Sequence, residues 1–370
     1  MKEIGIYIHI PFCKSKCYYC DFTSFAGKED KISKYVEKLL EEIDSCDKTG
    51  FNVKTIYIGG GTPSYIEEKY ISQIINKIRE KFILVQGAEI TLEANPGTLT
   101  KEKLENYLRI GINRLSIGLQ STDNECLKRI GRIHTYEDFL DNYHLAREIG
   151  FKNINVDLIL ALPKEEGKSI VTQVKEIINL NPEHISLYSL ILEDNTKLKD
   201  MYDKKEIELP SDEEERKMYW DTKKLLEENG YIHYEISNFA KKGFESKHNL
   251  DCWNQKEYLG FGVSASSYFD RKRYTNPKTI EEYIEGKESI IEEVQSRESE
   301  AKEFMLLGLR KIEGVSISEF ERKFSFNPLF YFRFEISKLT DEELIEVDLD
   351  SVKLTKKGLD LANIVWEEFI

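Results

Sequence analysis

The chain has 370 residues, 40% of them hydrophobic and 11% aromatic, enough for a large buried core shared between one big domain and one or two smaller ones. With 53 basic against 67 acidic residues the net charge is -14, which repels phosphate backbones and anionic membranes and excludes nucleic acid as an expected partner. No segment approaches the ~20 apolar residues of a membrane span, and MKEIGIYIHIPFCK lacks the basic-then-apolar order of a signal peptide, so a soluble cytoplasmic protein is expected, with peripheral membrane contact left open. The short basic spots Arg271-Lys272-Arg273 and Lys241-Lys242 read as solvated surface.

From residue 4 to about 190, β-branched runs alternate with helical-period segments. The runs are IGIYIHI, KTIYIGG, EITLEA, INRLSIGL, KNINVDLIL and EHISLYSL, and the helical segments fall near 30–45, 66–81, 100–110, 135–150 and 167–179. Apolar strands separated by helices predict a parallel α/β sheet, and six such units predict an open, partial (β/α)6 barrel. In that architecture the chemistry sits at the carboxyl ends of the strands. Beyond residue 200 the alternation stops. Residues 211–229 predict a long amphipathic helix with Ser211 as N-cap and Gly230 as C-cap, followed by a mixed region to about 290 with HNLDCWN and YLGFGVSAS. From about 296 three short helices, the hairpin-like ELIEVDLDSVKLT and a final helix predict a small winged-helix-like domain with a packing or gating role. The expected division is 1–205, 206–290 and 291–370.

Cys13, Cys17 and Cys20 follow the first strand run with Cys-x3-Cys-x2-Cys spacing, while Cys46, Cys126 and Cys252 are scattered and expected as reduced thiols. Three thiolates on one loop select zinc, copper(I) or an iron-sulfur cluster. A structural zinc site needs a fourth ligand, and His9 is the nearest candidate, on a strand where its side chain faces either way. A four-iron four-sulfur cluster on three thiolates instead leaves one iron open to a small molecule. Gly59-Gly60-Gly61 after the second run, Glu93 closing the third, and Gln120 and Asp157 ending the fourth and fifth converge on the same mouth. Each alone is ordinary turn punctuation; their shared location raises their weight.

The cysteine spacing, its place after the first strand and GGGTP resemble the radical S-adenosylmethionine (SAM) superfamily, and YIHIPFC, GGGTPS, LEANP, SIGLQS, GRIHT and VDLILALP are similar to its HemN/HemW family through nearly the whole chain. That family comprises oxygen-independent coproporphyrinogen III dehydrogenases and heme chaperones. The resemblance implies a cluster held by Cys13, Cys17 and Cys20 whose open iron chelates SAM. It implies SAM contacts from Gly60, Gly61 and Thr62 to the methionyl amino group, from Glu93, Gln120, Arg132 and Asp157 to other polar groups, and from Tyr7 and Tyr19 flanking cluster and SAM. Where the family pattern has glycine before Leu-Pro, this chain has Ala161.

Phe22 stands where the dehydrogenase branch carries a fourth cysteine, and the first strand begins almost at Met1 without that branch's extension. Both features point to the chaperone branch, with heme and acceptor hemoproteins as partners. The branch's His-Asn-x-x-Tyr-Trp segment is here His248-Asn249-Leu250-Asp251-Cys252-Trp253, with cysteine in place of tyrosine. His248 and Cys252 are thus candidate heme ligands, set against packing roles in a core. Radical decarboxylation of coproporphyrinogen III and a zinc-stabilised binding module are the competing expectations.

Overall fold

The computed structural model describes residues 2–47, 50–163 and 167–370. Its centre is a twelve-stranded sheet. The middle of that sheet is six strands, β1 (Glu3–Ile10), β2 (Asn52–Gly60), β3 (Ile83–Ala94), β4 (Arg114–Gln120), β5 (Ile154–Leu160) and β6 (His184–Ser189). They neighbour one another in chain order and every pairing is parallel. Parallel order requires a crossover after each strand, supplied by α1 (Ile32–Ser45), α2 (Glu68–Lys81), α3 (Lys101–Arg109), α4 (Tyr136–Ile149) and α5 (Ile170–Leu180).

The pleat divides each strand between two environments. In β1, Ile4, Ile6, Ile8 and Ile10 are buried in the main core with Tyr35, Val36, Leu39 and Ile43 of α1, while Tyr7 and His9 point into the barrel interior. Alternation of this kind turns an α/β sheet into a partial barrel, as expected from the six repeating units.

The sheet also grows at both edges, which the sequence pattern does not disclose. Tyr258–Phe261 pairs parallel with β1, and Ser266–Phe269, Lys272–Thr275 and Ile290–Val294 continue antiparallel beyond it. At the far side Asn238–Ala240 and Ile232–Glu235 add antiparallel to β6. Strands of three to five residues carry too little periodicity to announce themselves. The helix Asp212–Glu228 is capped by Ser211 in a capping box with Glu214; Asn229 is its C-cap, and Gly230 follows with φ of 83°.

A second core, around Phe304, Phe320, Phe324 and Phe332, belongs to the C-terminal unit. There the helices Arg297–Gly308, Ile317–Phe324 and Arg333–Asp341 pack with a three-stranded sheet of Val315–Ser316, Ser351–Leu354 and Ile345–Val347. The final helix is broken at Leu361 into Lys356–Asp360 and Ala362–Glu367. Trp220 Nε1 donates to Asp360 at 2.9 Å, and the Arg310 guanidinium lies 4.3 Å from the Trp253 ring centroid and 4.8 Å from that of Trp366, tying this unit to the sheet.

Candidate functional site

At the carboxyl ends of the strands a cavity of about 380 Å³ opens, and Cys13, Cys17 and Cys20 all line it. The loop that carries them is pinned at three points. Phe12–Cys13 pairs with Phe25–Ala26, which closes the loop on itself. Tyr18 donates its N–H to Ile130 O at 2.9 Å and accepts from Leu198 N at 2.8 Å, which fastens the middle of the loop to two other segments. Gly131 makes that approach feasible: its φ is 76°, and a Cβ there would lie 2.4 Å from Cδ1 of Tyr18.

Each thiol has polar neighbours. Thr62 Oγ1 is 3.5 Å from Cys13 Sγ, Ser24 Oγ is 4.0 Å from Cys20 Sγ, and Arg132 Nη1 donates to Cys17 Sγ at 3.4 Å. Burial pushes the Cys13 and Cys20 thiols up, against the opposing pull of hydrogen bonds from Thr62 and from the Phe22 backbone. The three thiols face a shared cavity with hydrogen-bond donors behind them, a donor set that suits an iron-sulfur cluster.

His9 does not complete a zinc site. Its Nε2 lies 2.8 Å from the Thr23 carbonyl, which can only accept, so Nε2 carries the hydrogen and Nδ1 accepts from Tyr7 Oη at 3.0 Å. Both ring nitrogens are committed to hydrogen bonds, and the tetrahedral alternative loses its fourth ligand.

The glycine segment runs beside the cysteine loop. Gly61 N–H donates to Ile10 O at 2.8 Å and Thr62 N–H to Phe12 O at 2.9 Å. At Gly60 the φ is 112° and a Cβ would lie 2.6 Å from His9 Cε1, so only glycine closes β2 this way. Gly60, Gly61 and Thr62 line the cavity.

Two half-buried carboxyl groups form its inner wall. Glu93 accepts from Tyr57 Oη at 2.7 Å and from Gly60 N at 3.1 Å, and burial raises its pKa to about 7, with Asp157 adding to the rise. Asp157 accepts from Asn155 Nδ2 at 2.7 Å and from Ser116 Oγ at 3.4 Å; burial raises its pKa too. Gln120 ends β4 with φ of 75°, a left-handed conformation that costs a non-glycine residue of order 1–3 kcal/mol, and its side chain lines the cavity. Ala161, where the family pattern has glycine, keeps the left-handed backbone at φ of 57°. Tyr19 and the buried Arg132 complete the wall.

The structure therefore brings together every residue expected around cluster and SAM except Tyr7. Tyr7 stands beside Tyr57 in the barrel interior, ring centroids 6.3 Å apart, with its hydroxyl engaged by His9 and its ring outside the cavity wall. Sequence reasoning missed Tyr57, Ser116 and Asn95, which do line the cavity. The signal was available for two of them, since Tyr57 precedes Gly59 by two residues and Ser116 precedes Gly118 by two, the spacing that puts side chains on one face of a strand.

His248 and Cys252 lie elsewhere. They sit on the short helix Lys247–Trp253, whose first N–H groups, from Lys247 and His248, donate to Glu89 at 3.1 Å each. The His248 ring stacks on Tyr57 at 5.2 Å, and its Nδ1 is 2.9 Å from Thr55 Oγ1 near the start of β2, at the opposite end of the barrel from the thiols. Burial lowers the His248 pKa to about 4 and pushes the Cys252 thiol up to about 12. Neither side chain lines the cavity.

Comparison with known proteins places the chain. Residues 7–176 match the radical SAM superfamily model, and residues 295–361 match that of the HemN C-terminal domain. Proteins described as heme chaperone HemW are similar along the chain: 39% identity in Lactococcus lactis over 100% of this chain and 98% of the relative, and 36% in Bacillus subtilis over 98% of each. The chain belongs to the HemW family of radical SAM proteins. Membership carries with it the superfamily's cofactors, a four-iron four-sulfur cluster and SAM. The Escherichia coli coproporphyrinogen III oxidase HemN, described as a radical SAM enzyme, shares the fold at a TM-score of 0.83 and 24% identity, over 100% of this chain and 90% of that one. No described helix is long and apolar enough to cross a membrane.

Proposed function

We propose that this protein is a heme chaperone: it binds heme and a SAM-ligated four-iron four-sulfur cluster in the cytoplasm and delivers heme to acceptor hemoproteins. Cys13, Cys17 and Cys20 hold the cluster, and Phe22, 63% exposed on the cavity rim, leaves the loop with no fourth thiol. The observation that carries the SAM reading is the pair of half-buried carboxyl groups at Glu93 and Asp157, facing one cavity with the thiols. Both have raised pKa values, so the cavity holds proton-binding sites that a cationic ligand would turn into ionised partners; SAM brings an ammonium and a sulfonium. Arg132 brings a positive charge to the carboxylate of SAM, and Gly60, Gly61 and Thr62, whose N–H groups are already bonded within the protein, offer carbonyl oxygens to its ammonium. When bound, the cluster supplies an open iron and an electron.

Heme binding rests on the family relatives, which are described as heme chaperones. His248 remains its candidate ligand in a conformation where helix Lys247–Trp253 leaves the barrel floor; Cys252, a protonated thiol in its present surroundings, is the weaker candidate. The deciding experiment is an anaerobic heme titration of the cluster-loaded protein and its His248→Ala variant beside a coproporphyrinogen III assay. A saturable heme spectrum that changes in the variant, with no protoporphyrinogen formed, is expected. Turnover of coproporphyrinogen would replace the chaperone reading with the dehydrogenase one.

A further inference from the structure

We propose that Asn95 is the positioning residue of the cluster site, orienting the hydrogen-bond donors on two of the three thiolates with a single amide. This rests on the cluster reading above. Asn95 follows β3 in a backbone locked on both sides: its N–H donates to Ser64 Oγ at 3.2 Å, and its carbonyl accepts from Thr98 Oγ1 at 2.6 Å and Thr98 N at 3.2 Å. The amide's orientation is fixed by chemistry. Arg132 has no acceptor, so the oxygen must face it, and Oδ1 accepts from Arg132 Nη2 at 2.8 Å. Nδ2 then faces Thr62 and donates to Oγ1 at 2.8 Å.

Each contact aims a donor at a sulfur. The Thr62 hydroxyl has one hydrogen; with an oxygen lone pair taken by Asn95, that hydrogen is free for Cys13 Sγ, 3.5 Å away. Arg132 Nη2 is held by Asn95 and by the Gly118 carbonyl, which leaves Nη1 on Cys17 Sγ at 3.4 Å. The line Cys13, Thr62, Asn95, Arg132, Cys17 is thus continuous. It joins residues from the cysteine loop, the β2 end, the β3 end and the segment after β4.

Hydrogen bonds to cluster sulfurs stabilise the reduced, more negative state and so raise the reduction potential. Asn95 therefore sets how readily the cluster accepts an electron from its donor, without touching the iron. The test is a double-mutant cycle of Asn95→Leu, which has the same size and no polar atoms, with Thr62→Val, read by redox titration followed by electron paramagnetic resonance and by the iron–thiolate stretching frequency in resonance Raman spectra. Iron and sulfide are counted first: a wild-type protein without sulfide would sink the cluster reading itself. Given a loaded wild type, both single variants should shift the potential negative. The double variant should shift less than their sum, because Asn95 acts partly through Thr62. Unchanged potential and stretch in Asn95→Leu, or strict additivity, would overturn the proposal. If Asn95→Leu fails to load, Asn95→Ser, polar but too short to span its partners, takes its place in the cycle with the same expected signs.

Discussion

The mouth and the floor of this barrel hold the same residue types and use them in opposite ways. At the mouth, three thiols, two carboxyl groups and an arginine surround an open cavity with polar atoms directed into it. At the floor, His248, Glu89, Thr55 and Cys252 satisfy one another or are packed away, and burial keeps the imidazole and the thiol neutral. The difference follows from chain direction. Six parallel strands end at one rim, where the loops are long enough to carry ligands, and begin at the other, where a short helix plugs the sheet. A histidine or a cysteine is a candidate ligand by type; location relative to the strand ends decides whether it is presented to one.

The two ends are also wired together. Asp157 at the cavity bonds Asn155, whose Oδ1 accepts from His184 Nδ1 at 2.6 Å; His184 Nε2 accepts from Tyr234 Oη at 2.8 Å, and Tyr234 accepts from Ser246 N, at the cap of the floor helix. Buried networks of this kind are costly unless fully satisfied, which explains polar residues on strands that otherwise read as apolar.

The contrast breaks most visibly at Cys17. Cys17→Ala should abolish sulfide-bound iron, since only two thiolates remain on the loop; retention of the visible absorption of a reconstituted cluster would refute the mouth as its site. Glu93→Gln comes next, with SAM binding weakened roughly 10- to 100-fold, the worth of one charged hydrogen bond of about 1.5–3 kcal/mol. In the wild type that affinity should rise as pH passes through about 7, where Glu93 ionises, and the variant should show a flat profile by isothermal calorimetry. Stability of the ligand-free chain carries the opposite sign. The folded pKa of Glu93 lies above its unfolded value of 4.5, so its contribution is complete below pH 4.5 and is lost as pH rises through about 7. Melting temperatures of Glu93→Gln should lack that slope. The smallest effect belongs to the floor: Cys252→Ala should leave iron and sulfide unchanged and cost about 1 kcal/mol in denaturant unfolding. A loss of cluster in that variant would mean that mouth and floor are coupled far more tightly than their separation indicates.

The chain's order of apolar strand runs and helical segments was sufficient for the parallel sheet, because each parallel pairing needs a crossover and the sequence supplies one after nearly every run. The cysteine spacing, the glycines, Glu93 and Gln120 were legible for the same reason: they are local signals at predictable rims, whereas Asp157, expected to end its strand, lies in the middle of β5 and still lines the cavity. Tertiary structure alone decided the direction of His9, which turned on whether Thr23 and Tyr7 met its ring nitrogens. It decided that Tyr7 stops short of the cavity and that Asn95 reaches Arg132 and Thr62, 37 and 33 positions away in the chain. It also placed His248 and Cys252 at the far end of the barrel. Periodicity fixes which face of a strand a side chain occupies, but which partner waits there depends on contacts between distant segments, and those form only when the sheet closes around them.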